Sequence, residues 1–298
     1  DVERSRGLGD VYKRQEFDPS QIIYTCPRCG DLLDVIYDYS ELSNVDLKSL
    51  WSKRLFGVWR YRELLPVTSN NPVTLSEGGT GLHQCNRLSA ILNASNVYVK
   101  NEGENPTGSF KDRGMTVGVT RAVELGSKIV VCASTGNTSA SLAAYAARAN
   151  KEAFVVVPKK VDRGKLIQMI AFGAKIIRYG DSVDECIEYA SELSRLNGLY
   201  DITPENNIIG LEGQKTLAFE LWEDINPSHV IIPTGSGSNL YSIYKGFKEL
   251  LEVGAIEELP KLVAVQSENC SPIASEILGL TSKKDFTKAL GLYVKDPV

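Results

Sequence analysis

The stretch KIVVCASTGNTSASLAAYAARAN, residues 128–150, decides the fold. Its first six residues are a short apolar run of the kind found in buried strands. The Ala-rich part at 139–150 has Leu142 and Tyr145 spaced for one face of a helix. Because small hydroxyl residues and a glycine join the two parts, the stretch predicts a strand, a turn and a helix in succession.

The same alternation of apolar runs and helical patterns is present from residue 97 onward, which predicts an α/β fold of βα units on a parallel sheet. The predicted strands lie at 97–100, 128–133, 153–158, 174–179, 199–201, 229–233 and 261–266, with a separate short strand at 32–37. The predicted helices lie at 139–150, 182–196 and 212–225, and one more begins at Lys111. No repeat or linker divides the chain, so a second domain must be an insertion.

Composition narrows the class of protein. The 298 residues, 43% of them hydrophobic, supply a core for about two domains. A net charge of -4 offers no attraction to nucleic acid or anionic membranes. No apolar run approaches the ~20 residues of a membrane span, and residues 1–15 lack the apolar core of a signal peptide, so we expect a cytoplasmic protein.

The two ends of the chain differ from its middle. Residues 1–15 show no helical or strand period and are interpreted as a non-native tail. The abrupt end after a Gly-rich turn indicates a C-terminally incomplete chain.

The six cysteines do not form a disulfide framework, because four of them stand alone. Cys26 and Cys29 lie on a tight Gly turn and make half of a zinc ribbon, in which two thiolates would face one tetrahedral ion. A second pair is required and is missing. Zinc is therefore expected only if such a pair is present, and a metal-free knuckle is the favoured interpretation.

Three loops carry residues suited to chemistry. In the first, 101–114, Pro106 and Gly108 break regular structure, and Ser109 can cap a helix that begins at Lys111. The positive end of the helix dipole disfavours a cation by up to ~1 kcal/mol, so a surface lysine would be poorly placed there. A lysine that must be neutral to attack a carbonyl gains from that position, and Phe110 offers it an apolar neighbour.

The other two loops each join a strand to a helix. Residues 134–138 (STGNT) can bind an anion through backbone N–H groups and hydroxyls, although simple capping explains them equally well. Residues 233–239 (PTGSGSN) have two glycines that let the backbone approach a phosphate, but they lack the third Gly or Ala of a dinucleotide-binding loop. A nucleophilic lysine, an anion loop and a phosphate loop together predict a site for pyridoxal phosphate.

Four motifs carry a resemblance to a known family: NPTGSFKDRG (105–114), CASTGNTSASLAAYAA (132–147), GLEGQKTLAFE (210–220) and PTGSGSN (233–239). They resemble those of threonine synthases, which are fold-type II pyridoxal-phosphate enzymes of the tryptophan-synthase-β superfamily. The segment IYTCPRCGDLLDVIYD (23–38) is similar to the knuckle at the start of many threonine synthases. The resemblance spans residues 16–298.

The resemblance implies two three-layer αβα domains with parallel-rich sheets and a role for each loop. Implied domains are a half zinc-ribbon knuckle at 16–40, a large cofactor-binding domain at 41–112 and 197–298, and a small inserted domain at 113–196. Lys111 would bind the cofactor as a Schiff base, Phe110 would pack on its ring, and Asn137 would bond the ring hydroxyl. The cofactor phosphate would be enclosed by Gly235, Ser236, Gly237, Ser238 and Asn239. The substrate's carboxylate or phosphate would face Ser134, Thr135 and Thr138.

The reaction implied is the conversion of O-phospho-L-homoserine and water into L-threonine and phosphate, with Lys111 moving the protons. Many relatives have an arginine where this chain has Gly210, so Arg163 or Lys165 is an alternative cation for the substrate phosphate. The family continues beyond residue 298 to a Ser or Thr that bonds the pyridine nitrogen, so we expect the present chain to bind cofactor but to form little threonine. Alternatives are a threonine or serine dehydratase, a cysteine-synthase-like enzyme, or a non-catalytic binding module or inactive fragment. The resemblance leaves a homodimer open.

Overall fold

A computed structural model describes residues 6–9, 16–18, 21–30, 32–43, 45–281, 286–294 and 297. The strands are β1 (Arg6–Gly9), β2 (Glu16–Phe17), β3 (Asp34–Tyr37), β4 (Leu82–Gln84), β5 (Tyr98–Lys100), β6 (Ile129–Ala133), β7 (Glu152–Val157), β8 (Lys175–Arg178), β9 (Tyr200–Asp201), β10 (His229–Pro233) and β11 (Lys261–Val265). The α-helices are α1 (Leu47–Ser52), α2 (Asn86–Leu92), α3 (Lys111–Glu124), α4 (Asn137–Arg148), α5 (Arg163–Ala171), α6 (Val183–Asn197), α7 (Ile209–Gln214), α8 (Thr216–Asp224), α9 (Ser238–Glu252) and α10 (Pro272–Ile277). Short 3-10 turns lie at Val58–Leu64, Glu102–Glu104 and Leu290–Leu292.

The chain divides into two compact units. The first unit is Asp1–Leu50 with Pro204–Val298, and the second unit is Trp51–Thr203. Along the chain, the second unit lies between the two segments of the first. Residues 51–112 pack within the second unit; Trp59 Nε1, for example, donates to Thr116 Oγ1 at 2.9 Å. The domain bounds that the resemblance implies stay a prediction.

A four-stranded parallel sheet in the order β8-β7-β6-β9 forms the centre of the second unit. Successive side chains of a strand point to opposite faces, and β6 is apolar on both. Val130 and Cys132 pack in a cluster with Leu142 of α4, whereas Val131 and Ala133 pack in a cluster with residues of α6. Helices therefore cover both faces of the sheet, which confirms the predicted α/β class and explains the continuous apolar run in β6.

Strand β5 is at the position predicted for it, but the prediction that it joins a parallel sheet is wrong. It pairs antiparallel with β4, with Leu82 opposite Lys100. Helix α2 between the two strands ends at Asn93 in the left-handed conformation, and Cys85 N then donates to Val97 O at 2.8 Å. After α2 the chain therefore runs back alongside β4 in the opposite direction, so β5 pairs with β4 antiparallel.

The first unit contains two further sheets. Strands β10 and β11 are parallel, and β2-β1-β3 is antiparallel. The sequence predicted no strand before residue 16, but Arg6–Gly9 pairs with both Glu16–Phe17 and Asp34–Tyr37. The rest of the predicted tail, residues 1–5 and 10–15, lies outside the described residues.

The helix predicted at 212–225 begins earlier, at Ile209, and is divided at Lys215 into α7 and α8. Helix α9 packs on both. The close approach requires Gly246, since a Cβ there would lie 2.6 Å from the carbonyl oxygen of Lys215. In the part of the chain that the structure describes, no helix is both long and apolar enough to cross a membrane.

Candidate active site

Lys111 is the first residue of α3, as predicted. The N-cap residue is Phe110 and not the predicted Ser109, but Ser109 Oγ still accepts from Lys111 N at 3.4 Å. The Lys111 ammonium group lies 4.5 Å from the centre of the Phe110 ring, and both residues are half-buried. The lysine is thus at the positive end of a 14-residue helix and beside an aromatic ring.

Asp112, directly after this lysine, is completely buried. Its carboxylate accepts from Thr107 N and Thr107 Oγ1, both at 2.6 Å, and from Ser141 Oγ at 2.5 Å. Burial raises the pKa of the Asp112 carboxyl, although the bonds from Ser141 and Thr107 oppose that shift. These bonds connect the loop before Lys111 with helix α4, on which the next predicted loop ends.

The loop at 134–138 joins β6 to α4 in the same unit. Gly136 is the N-cap residue of α4 and has no side chain that could cap the helix. Ser134 Oγ accepts from Gly136 N at 3.2 Å, and Ser134 O accepts from Ser139 Oγ at 2.8 Å. Ser134 and Thr135 are half-buried, Asn137 is exposed and Thr138 is buried. The backbone N–H groups at the start of α4 are suited to an anion, and that role of the loop stays a prediction.

The glycine loop at 233–239 lies in the first unit, between β10 and α9. Thr234 N donates to Val265 O at 2.8 Å, which holds the start of the loop on β11. Gly237 has φ +93 and is the N-cap residue of α9, with no side-chain cap. Asn239 Oδ1 is buried and has no hydrogen-bond partner among the described residues. A phosphate in this loop would meet the uncapped N–H groups of a 15-residue helix.

Each unit has residues that fit one part of a phosphorylated aldehyde. In the second unit Lys111 suits the aldehyde, and Asp112 links the start of its helix to α4. In the first unit residues 235–239 suit a phosphate. Arg163 is exposed at the start of α5, and the side chain of Lys165 lies outside the described residues. Gly210 is in α7 and half-buried.

The Cys26 and Cys29 knuckle has the predicted turn. Gly30 N donates to Cys26 O at 2.8 Å, and Gly30 has φ +80. Cys26 is buried and Cys29 is half-buried, and both thiols are free of disulfides. Among the residues that the structure describes, no group of three or more His, Cys, Asp or Glu side chains could hold a metal ion.

A family model described as pyridoxal-phosphate dependent enzyme matches residues 73–297. The chain belongs to this family, and pyridoxal phosphate is its cofactor, as predicted. It is 49% identical over 262 residues to a threonine synthase of Methanocaldococcus jannaschii, an alignment that covers 86% of this chain and 64% of that protein. It is 44% identical over 266 residues to a threonine synthase of Methanosarcina acetivorans, covering 88% and 65%.

The structure is also similar to that of the processed form of threonine deaminase isoform 2 from Solanum lycopersicum. The TM-score is 0.62 at 28% identity, with 72% of this chain and 59% of that chain covered. The predicted resemblance to threonine synthases and the fold-type II class are thereby confirmed. The chain spans less than two thirds of the length of both threonine synthases.

One feature of the first unit was missed by sequence reasoning, which treated LEGQKT only as a family motif. Two of its residues belong to a buried ion cluster, which we define as Asp34, Glu212, Lys215, Lys245 and Glu249. Lys215 Nζ lies 2.5 Å from Glu212 Oε2 and 2.7 Å from Glu249 Oε1. Lys245 bonds both Glu212 and Asp34 of β3. The cluster therefore ties the N-terminal strand to α7 and α9.

The ion cluster has three carboxylates for two ammonium groups. Burial would raise the pKa of Glu212, but Lys215 and Lys245 outweigh that effect and lower it. For Glu249 burial dominates and, with the Glu212 charge, raises the pKa to about 7. Glu249 Oε2 has no hydrogen-bond partner in the described part of the chain. Of the three carboxylates, Glu249 is thus the one whose neutral form is most favoured.

The free energy of unfolding is expected to depend on pH through Glu249. Its folded pKa of about 7 is above the ordinary 4.5, so its contribution is fully present below pH 4.5 and is lost as the pH rises through about 7. Glu249→Gln cannot titrate, so we expect this loss, on the order of 1 to 3 kcal/mol, to disappear from the pH profile. Urea unfolding of both proteins from pH 4.5 to 8 measures the difference.

Glu252→Gln is the matched control, because Glu252 lies on the same helix but is exposed and pairs with Lys248 at the surface. It should leave the pH profile of the parent protein unchanged. Identical profiles for Glu249→Gln and the parent protein would show that Glu249 is ionised in the folded state throughout this range.

Proposed function

We propose that this chain is the cofactor-binding part of a threonine synthase, which converts O-phospho-L-homoserine and water into L-threonine and phosphate. The observation that carries the proposal is the 49% identity over 262 residues to a threonine synthase. The three loops support it, because each has the backbone geometry that its proposed role requires. The enzyme would act in the cytoplasm, and a homodimer is compatible with the proposal.

In this proposal the residues of the second unit bind the reacting end of the substrate and move protons. Lys111 would hold the cofactor until the substrate replaces it. Its free amine would then take one proton from Cα and one from Cβ as phosphate leaves Cγ, and would return protons at Cγ and Cα while the hydroxide of a water molecule adds at Cβ. The neutral form needed for this step is favoured by the N-terminus of α3. Asn137 bonds the ring hydroxyl, and Phe110 packs on the ring. The hydroxyls of Ser134, Thr135 and Thr138 bind the carboxylate or phosphate of the substrate.

The first unit supplies the phosphate site. Backbone N–H groups at Gly235, Gly237 and the start of α9 bind the cofactor phosphate, together with the Ser236 and Ser238 hydroxyls. The bound cofactor supplies an electron sink that stabilises negative charge developing on the substrate. The protein's contribution is therefore to orient the two phosphorylated molecules and to transfer protons between fixed positions.

A dehydratase is the second candidate, because the structure resembles that of a threonine deaminase. A product assay separates the two functions. The protein loaded with pyridoxal phosphate is offered O-phospho-L-homoserine, L-threonine or L-serine, and released phosphate, threonine and ammonia are measured. We expect O-phospho-L-homoserine to change the cofactor absorbance, and any phosphate that is released to be matched by an equal amount of threonine. Ammonia from threonine or serine, with no absorbance response to phosphohomoserine, would replace this proposal by the dehydratase.

A further inference from the structure

The buried carboxylate of Asp112 connects the two segments of the second unit that are proposed to bind cofactor. We propose that Asp112 is a positioning residue, which fixes the position of the Lys111 amine relative to the N-terminal turn of α4. This inference rests on the proposed role of Lys111. It assigns a role to a residue that the sequence motif contains but that sequence reasoning did not use.

The first part of the argument is the closure of the loop before Lys111. Thr107 donates both its N–H and its hydroxyl to Asp112, each at 2.6 Å. The six residues 107–112 therefore form a closed ring, and Phe110 and Lys111 are members of it. Gly108, with φ +84, provides the turn inside the ring. Without the Asp112 carboxylate, the backbone before the lysine would lose two of the hydrogen bonds that fix its conformation.

The second part is the bridge to α4. Ser141 Oγ donates to Asp112 Oδ1 at 2.5 Å, across 29 residues of sequence. Ser141 is one turn after Asn137, so the two residues lie on the same side of the helix. Fixing Ser141 against Asp112 thus fixes the first turn of α4, with Asn137 and Thr138, relative to the start of α3. One carboxylate sets the position of both segments.

The third part is the energetic cost of this arrangement. Asp112 is 0% exposed, and its hydrogen-bond donors Thr107 and Ser141 are neutral. Burial raises the pKa of its carboxyl, and the nearby Glu77 charge adds to that shift. A buried carboxylate without a cationic partner among its donors is expensive, and an apolar side chain of similar size would often serve stability as well. The carboxylate adds short, directional hydrogen bonds that join the loop before Lys111 to α4. Its three strong bonds define geometry more narrowly than apolar packing would.

The test separates positioning of Lys111 from general binding and folding. Asp112→Asn keeps the shape but places an amide NH₂ group against the Thr107 and Ser141 donors. Two quantities are measured: the rate of covalent attachment of pyridoxal phosphate, from its absorbance, and the affinity for pyridoxine 5'-phosphate, which has no aldehyde to react with a lysine. We expect attachment to become slower by about 100-fold, the cost of an ångström-scale misplacement, and analogue binding to change by less than about twofold.

Glu77→Gln is the matched control, because Glu77 is also a buried carboxylate of the second unit. It is 2% exposed and accepts from Tyr145 OH at 2.7 Å, but it is not part of the 107–112 ring. It should leave the rate of attachment unchanged. If Asp112→Asn does not fold, Ser141→Ala removes the bridge alone and should still slow attachment at least tenfold, with analogue binding unchanged.

Unchanged attachment in a folded variant would overturn the proposal, as would equal losses of attachment and analogue binding. Equal slowing by Glu77→Gln would do the same. Failure of the proposed role of Lys111 has a different signature, because attachment would then persist in Lys111→Ala, whatever Asp112→Asn does. Failure of the proposed function would instead appear as ammonia in the product assay, with the attachment rates of these variants unaffected.

Discussion

Lys111→Ala is expected to abolish covalent attachment of pyridoxal phosphate. The parent protein mixed with the cofactor should show a visible absorbance band that borohydride makes permanent, with the label on Lys111. Lys111 is the only lysine in the ring segment 107–112, so alanine leaves that segment without an amine to react with the aldehyde. The band should be absent from the variant, and mass spectrometry should find no labelled peptide that contains residue 111.

Lys128→Ala is a suitable control, because Lys128 is an exposed lysine of the same unit that precedes β6. It should show the full band and the same labelled peptide as the parent protein. An undiminished band in Lys111→Ala would assign the attachment to a different lysine and would contradict the proposed site.

Gly237→Asp is expected to weaken binding of pyridoxal phosphate by at least ~100-fold. Two effects add at this position. Gly237 has φ +93, a conformation that costs about 1 kcal/mol or more for a side chain. A carboxylate at the N-cap of α9 would also repel the phosphate, and unit charges 4 Å apart interact with about 4 kcal/mol at an effective dielectric constant of ~20. Fluorescence or absorbance titration with the cofactor measures the change in affinity.

Two variants isolate these effects. Gly254→Asp introduces the same residue at φ +75 just beyond the other end of α9, where the added Cβ meets no atom within 4 Å. It should cost stability but not affinity. Gly237→Ala introduces strain without charge and should weaken binding by only about tenfold, which corresponds to ~1.4 kcal/mol. Equal affinities of Gly237→Asp and the parent protein would place the cofactor phosphate elsewhere.

Much of the candidate site could be predicted because its signals are local. The loops at 134–138 and 233–239 each stand between a strand and a helix that are recognisable from a few neighbouring residues. Lys111 was found in the same way, from a Pro- and Gly-containing loop that leads into a helical pattern. The network around Asp112 was not found, because Ser141 is 29 residues away and an aspartate in the first turn of a helix is explained equally well by the helix dipole.

The sequence by itself determined which segments become buried strands and helices, and which loops have phosphate-binding chemistry. Periodicity and turn residues act within about ten residues, and they gave β6, α4 and β10 almost to the residue. Only the tertiary structure decided that β5 pairs antiparallel with β4 and that Lys245 bonds Asp34, 211 residues away. Strand pairing and buried ion pairs depend on which surfaces meet after the chain folds. Carboxylate side chains usually lie on the solvated surface, so the neighbouring residues in the sequence do not predict that a particular one is buried.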